Sequence, residues 1–256
     1  MKAIKTTGAA VLVTLAIALT SCSTEDSIHS SVTNYAVLSL NDETDEPILI
    51  EQGTNYTDPG AMATIDDQEV PITTTYTGRY RGNTFNETLD TDVSDFYTTS
   101  YSAVNEEGFS SSVTRDIIVA ETGDLVNSIA GLYRSTVFRN GVQGTPESAY
   151  TDIEYILIWE NEDGTYGISD AFGGWYLFGR AIAGSETPGG IIVANNITSD
   201  DFEFPATLSN AYFGGSAEIT GLNVNPDDNS IDMITVWEAD AETTYTFNIH
   251  LEQVQF

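Results

Sequence analysis

The sequence predicts an all-β protein in two units, and three observations carry that prediction. Short runs in which apolar and polar residues alternate recur along the chain, for example over residues 109–119 and 245–252, which is the period of a strand with one buried face. Asn, Asp, Gly and Pro cluster between the runs, where a reversing chain needs them. Residues 35–120 hold no stretch with helical period, and the polar Glu121-Thr122-Gly123-Asp124 divides the chain behind them.

Ahead of both units lie Lys2, Lys5 and an apolar run over residues 9–19. The run is too short to span a bilayer and suits the core of an export signal occupying residues 1–21. Its end, Leu19-Thr20-Ser21-Cys22, resembles the bacterial lipobox. That resemblance implies cleavage before Cys22 and lipidation of its sulfur and amine, and so an outer-membrane partner through a lipid anchor. Residues 22–33 are mostly Ser, Thr, Asp and Glu, a composition that buries little and reads as a flexible tether. Glu25 and Asp26, just behind the cysteine, resemble the signal that carries Bacteroidota lipoproteins to the cell exterior. Asp26-Ser27-Ile28 is similar to an O-glycosylation motif of the same group, whereas the Asn-x-Thr triplets at Asn55, Asn86 and Asn196 have no default meaning in a bacterial chain.

The first unit spans residues 34–121. Residues 96–103 and 109–119 flank the turn Asn105-Glu106-Glu107-Gly108 and read as a hairpin, preceded by a short apolar run at 47–50. The motif Tyr56-Thr57-Asp58-Pro59-Gly60-Ala61, the strand bearing Tyr97 and Tyr101, the Gly108 turn and Arg115-Asp116-Ile117-Ile118-Val119 resemble the immunoglobulin-like module first named from a pesticidal crystal protein. What that resemblance implies is a β-sandwich serving as a rigid stalk, without chemistry of its own.

The second unit, residues 125–256, has longer strands. Residues 153–160 and 165–169 flank Asn161-Glu162-Asp163-Gly164, and residues 222–225 and 231–237 flank a turn at 226–230. About eight antiparallel strands are expected, forming a closed or nearly closed barrel or stacking as a two-sheet sandwich, and the sequence leaves both open. Ile129-Ala130-Gly131-Leu132-Tyr133 and residues 166–176, following such a stalk, resemble the C-terminal domain of a family of two-domain Bacteroides lipoproteins without an assigned activity. Members of that family resemble accessory lipoproteins of Sus-type uptake systems, which hold polysaccharide for a SusC/SusD-type transporter.

Composition removes several functions. The formal net charge is -31, and losing Lys2 and Lys5 with the signal takes it to -33. Arg79, Arg81, Arg115, Arg134, Arg139 and Arg180 are the only cations left, too few to neutralise a phosphate backbone, so nucleic acid is excluded as a partner. Cys22 is the only cysteine, which leaves no disulfide and no thiol chemistry. Serine catalysis needs a base, yet the only histidines are His29 in the tether and His250 on the polar side of its strand. Zinc lacks ligands on the same count, and paired carboxylates carry no weight in a chain with 39 acids. The chain is expected not to be an enzyme and to need no cofactor.

Two kinds of site are left to weigh. Asp227, Asp228, Asn229 and Asp232 offer hard oxygens, but the Gly and distal Glu of a calcium loop are missing, so they read as a solvated turn. Asp200, Asp201 and Glu203 read the same way. Trp159, Trp237, Tyr245 and Phe247 lie in apolar strands and read as core. Trp175 and Tyr176 differ, because Gly173-Gly174 leaves the backbone bare beside them. An exposed pair of that kind would stack a sugar ring, and the competing reading is burial with a wet polar tip. The expected function is glycan binding through the C-terminal domain of a cell-surface lipoprotein. The alternative is a structural or adhesive surface protein without a small ligand.

Overall fold

The structure, a computed structural model, describes residues 33–42, 44, 46–140 and 149–256. The signal at 1–21, Cys22, Glu25 and Asp26 lie outside the described residues. Tyr35–Phe256 form one unit, and among its described residues only two short 3-10 turns interrupt the β-structure.

The immunoglobulin-like half contains β1 (Val37–Leu40), β2 (Ile48–Glu51), β3 (Ala61–Ile65), β4 (Gln68–Glu69), β5 (Thr73–Gly78), β6 (Thr84–Asn86), β7 (Asp95–Val104) and β8 (Ser110–Ala120). These form two sheets, β1-β3-β4 and β2-β8-β7-β5-β6. Every pairing is antiparallel except β2 on β8, where Ile48 lies beside Ile117 in parallel register. The expected hairpin is β7 with β8, and Asn105 shapes its turn by accepting from the Glu107 and Phe109 amides at 3.1 and 2.8 Å. Ile50, Tyr76, Tyr97, Ile117 and Val119 make the main core of this half.

The Tyr56 to Ala61 motif has a structural purpose. Asp58 accepts from Tyr101 Oη at 2.5 Å, from Tyr76 Oη at 2.9 Å and from the Gly60 amide at 3.0 Å. Arg115 Nη1 stands 3.5 Å from the same carboxylate, and Arg115 Nη2 donates to the Asp42 carbonyl at 2.6 Å. Burial and the adjacent Asp58 charge push the Tyr76 and Tyr101 hydroxyls well above the usual tyrosine range. The motif ties loop to sheet and offers nothing outward.

The C-terminal half contains β9 (Gly131–Arg139), β10 (Ala149–Glu160), β11 (Tyr166–Ile168), β12 (Gly189–Asn196), β13 (Asp201–Glu203), β14 (Leu208–Ser209), β15 (Ser216–Asn225), β16 (Ser230–Asp240) and β17 (Thr243–Gln253). All nine form one antiparallel sheet in the order β13-β12-β11-β10-β9-β17-β16-β15-β14. The count exceeds the expected eight through two short edge strands, β13 and β14, of three and two residues. Of the expected architectures it is the barrel that forms, left open between β13 and β14 as a half-barrel. Bulges between β9 and β10, β11 and β12, and β15 and β16 mark the curl. Strands far apart in the sheet meet across the interior, where a Cβ on Gly190 of β12 would lie 3.6 Å from Ile219 of β15 and 3.8 Å from Leu208 of β14.

The two halves share a core. Leu49, Phe96, Ile118 and Ala120 from the first cluster with Leu132, Tyr155, Leu157, Trp159 and Val254 from the second. Trp159 stacks on Tyr80 with ring centroids 6.2 Å apart and planes 14° from parallel. The polar junction is ordered by its own bonds: Gly123 N donates to the Ala130 carbonyl at 2.8 Å, Gln253 Nε2 donates to the Gly123 carbonyl at 2.9 Å, and Asp124 accepts from the Val126 and Asn127 amides.

Candidate functional site

What fills the half-barrel is a loop rather than a second sheet. After β11 the chain turns inward at Asp170, which is 1% exposed. Its carboxylate accepts from the amides of Phe172, Gly174 and Thr187 at 2.9, 3.0 and 3.0 Å. Burial pushes its pKa up to about 6, against the lowering effect of those three donors. Gly173 and Gly174 have φ of +61° and +82°, and a Cβ on either would come within 2.7 Å of Ile249 or 2.6 Å of Ile153. Only glycine lets the loop press this close to the sheet. Ser135 Oγ fixes the approach by donating to the Gly173 carbonyl at 2.8 Å.

Of the two readings of Trp175 and Tyr176, the structure takes burial and corrects their assignment as a ligand-binding pair. The glycines bring the loop into the core instead of baring it, and the two side chains are 6% and 5% exposed. Both join a packed aromatic group with Phe172, Trp237 and Phe247. Neither ring face is open for a sugar to stack on. Trp237 and Phe247 are core as expected, Tyr245 is half-buried against Trp237, and Trp159 belongs to the shared core between the halves.

The buried pair nevertheless lies under a surface feature. Arg139, at the end of β9, places its Cζ 4.5 Å from the Tyr245 ring centroid and 5.2 Å from that of Trp175. Its Nη1 donates to Tyr176 Oη at 3.2 Å. The exposed Arg180 places its Cζ 5.5 Å from the Tyr176 ring and 5.8 Å from the Trp175 ring. On another side of Tyr176 lies Phe213, 4.7 Å between centroids, and Tyr212 stands against Phe213 at the same spacing. Tyr212 is 58% exposed and Phe213 41%. Their turn is held by Asn210, which accepts from the Tyr212 and Phe213 amides, and by Trp237 Nε1, which donates to the Gly214 carbonyl at 3.1 Å.

Exposed aromatics of this domain are Tyr212, Phe213, Phe178 and Phe256, and of these Tyr212 and Phe213 stand together against Tyr176, a pair that sequence reasoning missed. The signal was present: Tyr212-Phe213-Gly214-Gly215 repeats the pairing of two aromatics with two glycines found at residues 173–176. The cluster sits where β9 ends and β10 and β17 begin, at the strand ends opposite Leu132, Trp159 and Val254 of the shared core. Seven residues of β9 separate Leu132 from Arg139, roughly 23 Å at strand rise.

The other candidates are occupied by ordinary structure. Asp228 accepts from Asn225 Nδ2 at 2.6 Å within a 3-10 turn, while Asp232 pairs with His250 Nδ1 at 2.8 Å. Asp200 accepts from the Val224 amide at 2.8 Å, and Glu203 from Asn195 Nδ2 at 3.0 Å. Among the described residues no three His, Cys, Asp or Glu side chains gather as a metal site would require. Two depressions lie elsewhere, one on the outer sheet face between Phe138 and His250 and one between the halves beside Phe96 and Phe178.

Residues 122–253 match the model of a family defined by a C-terminal domain, and residues 40–119 match the family described as bacterial surface protein, Ig-like domain. The chain is also similar to the lipoprotein BT2262 from Bacteroides thetaiotaomicron. That crystal structure agrees with a TM-score of 0.55 and 23% identity over 86% of this chain and 100% of the other. At this identity the likeness is one of fold. No curated protein matches the chain.

Proposed function

The chain belongs to the family defined by the C-terminal domain at residues 122–253, and on that premise we propose that it is a surface lipoprotein that binds glycans. In this reading Cys22 carries the lipid, the anchor lies in the outer membrane, and the protein faces the cell exterior. It works as an accessory to polysaccharide uptake, beside a SusC/SusD-type transporter, and holds its ligand without transforming it.

The observation that carries the reading is the exposed pair Tyr212 and Phe213, seated on the buried aromatic group through Tyr176. A sugar presents a C–H face to such rings, and a platform backed by packed aromatics loses little entropy when it is covered. Further support comes from the fold. The first half fixes the second through a continuous apolar core, and the platform stands at the far strand ends, clear of that contact.

Affinity electrophoresis of the full-length protein through gels containing neutral or acidic polysaccharides tests the reading. Stacking of bases on aromatics, a rough analogue, is worth about 1–3 kcal/mol per ring, so Tyr212→Ala should weaken retention by roughly five-fold to a hundred-fold. Tyr212 is largely exposed, so its melting temperature should hold. A folded Tyr212→Ala, Phe213→Ala double variant retained as strongly as the parent would overturn the assignment. If no polysaccharide retards the parent protein, the structural or adhesive alternative takes its place.

A further inference from the structure

We propose that Arg139 and Arg180 form an anion-recognising subsite beside the Tyr212 and Phe213 platform, so that the glycan taken is an acidic one with carboxylate or sulfate groups on its rings. The inference rests on the glycan reading and narrows it to one chemical class.

Among 39 acids and eight cations an arginine readily finds a carboxylate, and three of the six arginines do. Arg79 pairs with Glu186, Arg134 with Glu154 at 2.9 Å and Arg115 with Asp58 at 3.5 Å, while the charge of Arg81 acts on the buried Asp95. Arg81 makes no ion pair of that kind, and neither do Arg139 and Arg180: among the described residues no carboxylate oxygen lies within 4.0 Å of these guanidinium groups. What sets Arg139 and Arg180 apart is their place. They are neighbours, each within 6 Å of the same Trp175 ring. Two like charges sharing one indole oppose each other, and contacts with ring faces offset that only in part.

A further unmatched donor belongs to the ring that both arginines approach. Trp175 Nε1 is buried with no acceptor, and leaving such a group unpaired is costly. Arg139 uses one donor on Tyr176, and the Arg180 guanidinium donates to nothing among the described residues. Arg180 thus presents a planar fork with no oxygen to receive it, and Arg139 a second fork with one donor engaged by Tyr176, beside the buried indole N–H. Carboxylate and sulfate oxygens match a guanidinium fork in geometry and charge. An isolated small anion would leave the adjoining aromatic pair uncovered, whereas an acidic sugar uses both surfaces. A long, densely charged polymer is opposed by the chain's own charge of -31. That field is screened beyond roughly 8 Å at physiological salt, which leaves a local pair of arginines free to select one or two acidic rings.

Titration calorimetry of the full-length protein with uronate, sulfated and neutral oligosaccharides of matched length tests the subsite. The uronate and sulfated arms decide which acid group is taken. The expected result is that at least one acidic series binds more tightly than the neutral one and weakens as salt is raised. Arg180→Gln should reduce that affinity by about ten-fold or more and remove most of the salt dependence. Arg180 is exposed, so this variant should fold normally. Arg139 packs on two rings, so its Gln variant is judged only after its melting temperature has been compared. Acidic oligosaccharides that bind folded Arg180→Gln and Arg139→Gln as tightly as the parent overturn the subsite. Binding of the neutral series alone overturns it too while leaving the glycan reading intact, and binding of none removes both.

Discussion

The two halves of the molecule use the same devices and differ in what they leave over. Each holds a tyrosine whose hydroxyl donates to the carbonyl four residues back, Tyr97 to Val93 at 2.8 Å and Tyr133 to Ile129 at 2.6 Å. Each buries a carboxylate that collects loop amides. Asp95 accepts from Tyr80, Arg81 and Phe96, and Asp170 from Phe172, Gly174 and Thr187. In the immunoglobulin-like half the charged residues of its motif gather around Asp58 and Arg115, and the two Arg115 nitrogens left without a hydrogen bond, Nε and Nη1, are buried. Its exposed aromatics, Tyr35 and Phe109, touch each other but have no cation over them. In the C-terminal half Arg139 and Arg180 have no carboxylate partner among the described residues, and they lie over the Trp175 and Tyr176 group on which the exposed Phe213 rests. The proposed binding surface is thus the place where folding leaves cations and rings over, and the first half offers less of either.

That contrast treats the first half as a buttress welded to the second, and breaking the weld should have the largest effect. Trp159 is 6% exposed, stacks on Tyr80 and donates its indole N–H to Asn161 at 3.0 Å. Trp159→Ala should cost about 3–5 kcal/mol, as truncation of a buried aromatic generally does. Urea unfolding, one transition in the parent, should then divide into two as the halves uncouple. A variant that loses less than about 1 kcal/mol and still unfolds in one step would mean that the shared core does not join them.

Much of this arrangement could be read in the sequence. The all-β class, the β7 and β8 hairpin and the hairpin at Asn161 to Gly164 follow from alternation and turn chemistry. The weld was half legible. Val113, Ile117 and Val119 mark one buried face of β8, but Ile118 and Ala120 are buried on the other, and apolar residues on both faces of a strand signal a second partner. Barrel against sandwich was not legible, because periodicity tells which face is buried and not how far a sheet curls. The aromatic site was misplaced for a related reason. Two turns each combine two glycines with two aromatics, and only the nearness of Ile249 and Ile153 to Gly173 and Gly174 decides which one dives inward.

The buried carboxylates sharpen the comparison at smaller cost. Burial raises both Asp95 and Asp170, and Asp170 reaches about 6. A folded pKa above the unfolded value means that the native state holds the proton longer. The associated stability is full below about pH 4 and is lost as pH rises through 6. For Asp170 the change is on the order of 2–3 kcal/mol. The charge of the other acids also changes across this window, so the informative quantity is the difference between parent and Asp170→Asn. The amide cannot accept from all three loop amides, so the variant should be less stable throughout. Its deficit should shrink between pH 4 and pH 7 as the parent loses its own advantage. A deficit that is flat with pH would place the Asp170 titration outside the folding equilibrium.

The smallest effect tests whether the shared tyrosine device matters equally in both halves. Tyr97 and Tyr133 are 1% and 0% exposed, and in each only the hydroxyl hydrogen bond distinguishes tyrosine from phenylalanine. Replacing either by Phe keeps the ring packing, removes the donor and leaves one buried carbonyl with one partner fewer. The expected cost is about 1 kcal/mol each, the usual net worth of such a bond. Because the halves share a core, both variants should shift the same single unfolding transition, and the double variant should lose the sum. The two sites lie in different clusters without a common partner, and distant changes of this kind generally add within about 0.5 kcal/mol. A Tyr97→Phe variant that melts the first half alone, with the second unfolding at its parental midpoint, would contradict the weld even if Trp159→Ala behaved as expected. The aromatic and arginine cluster would then stand on a domain that needs no buttress.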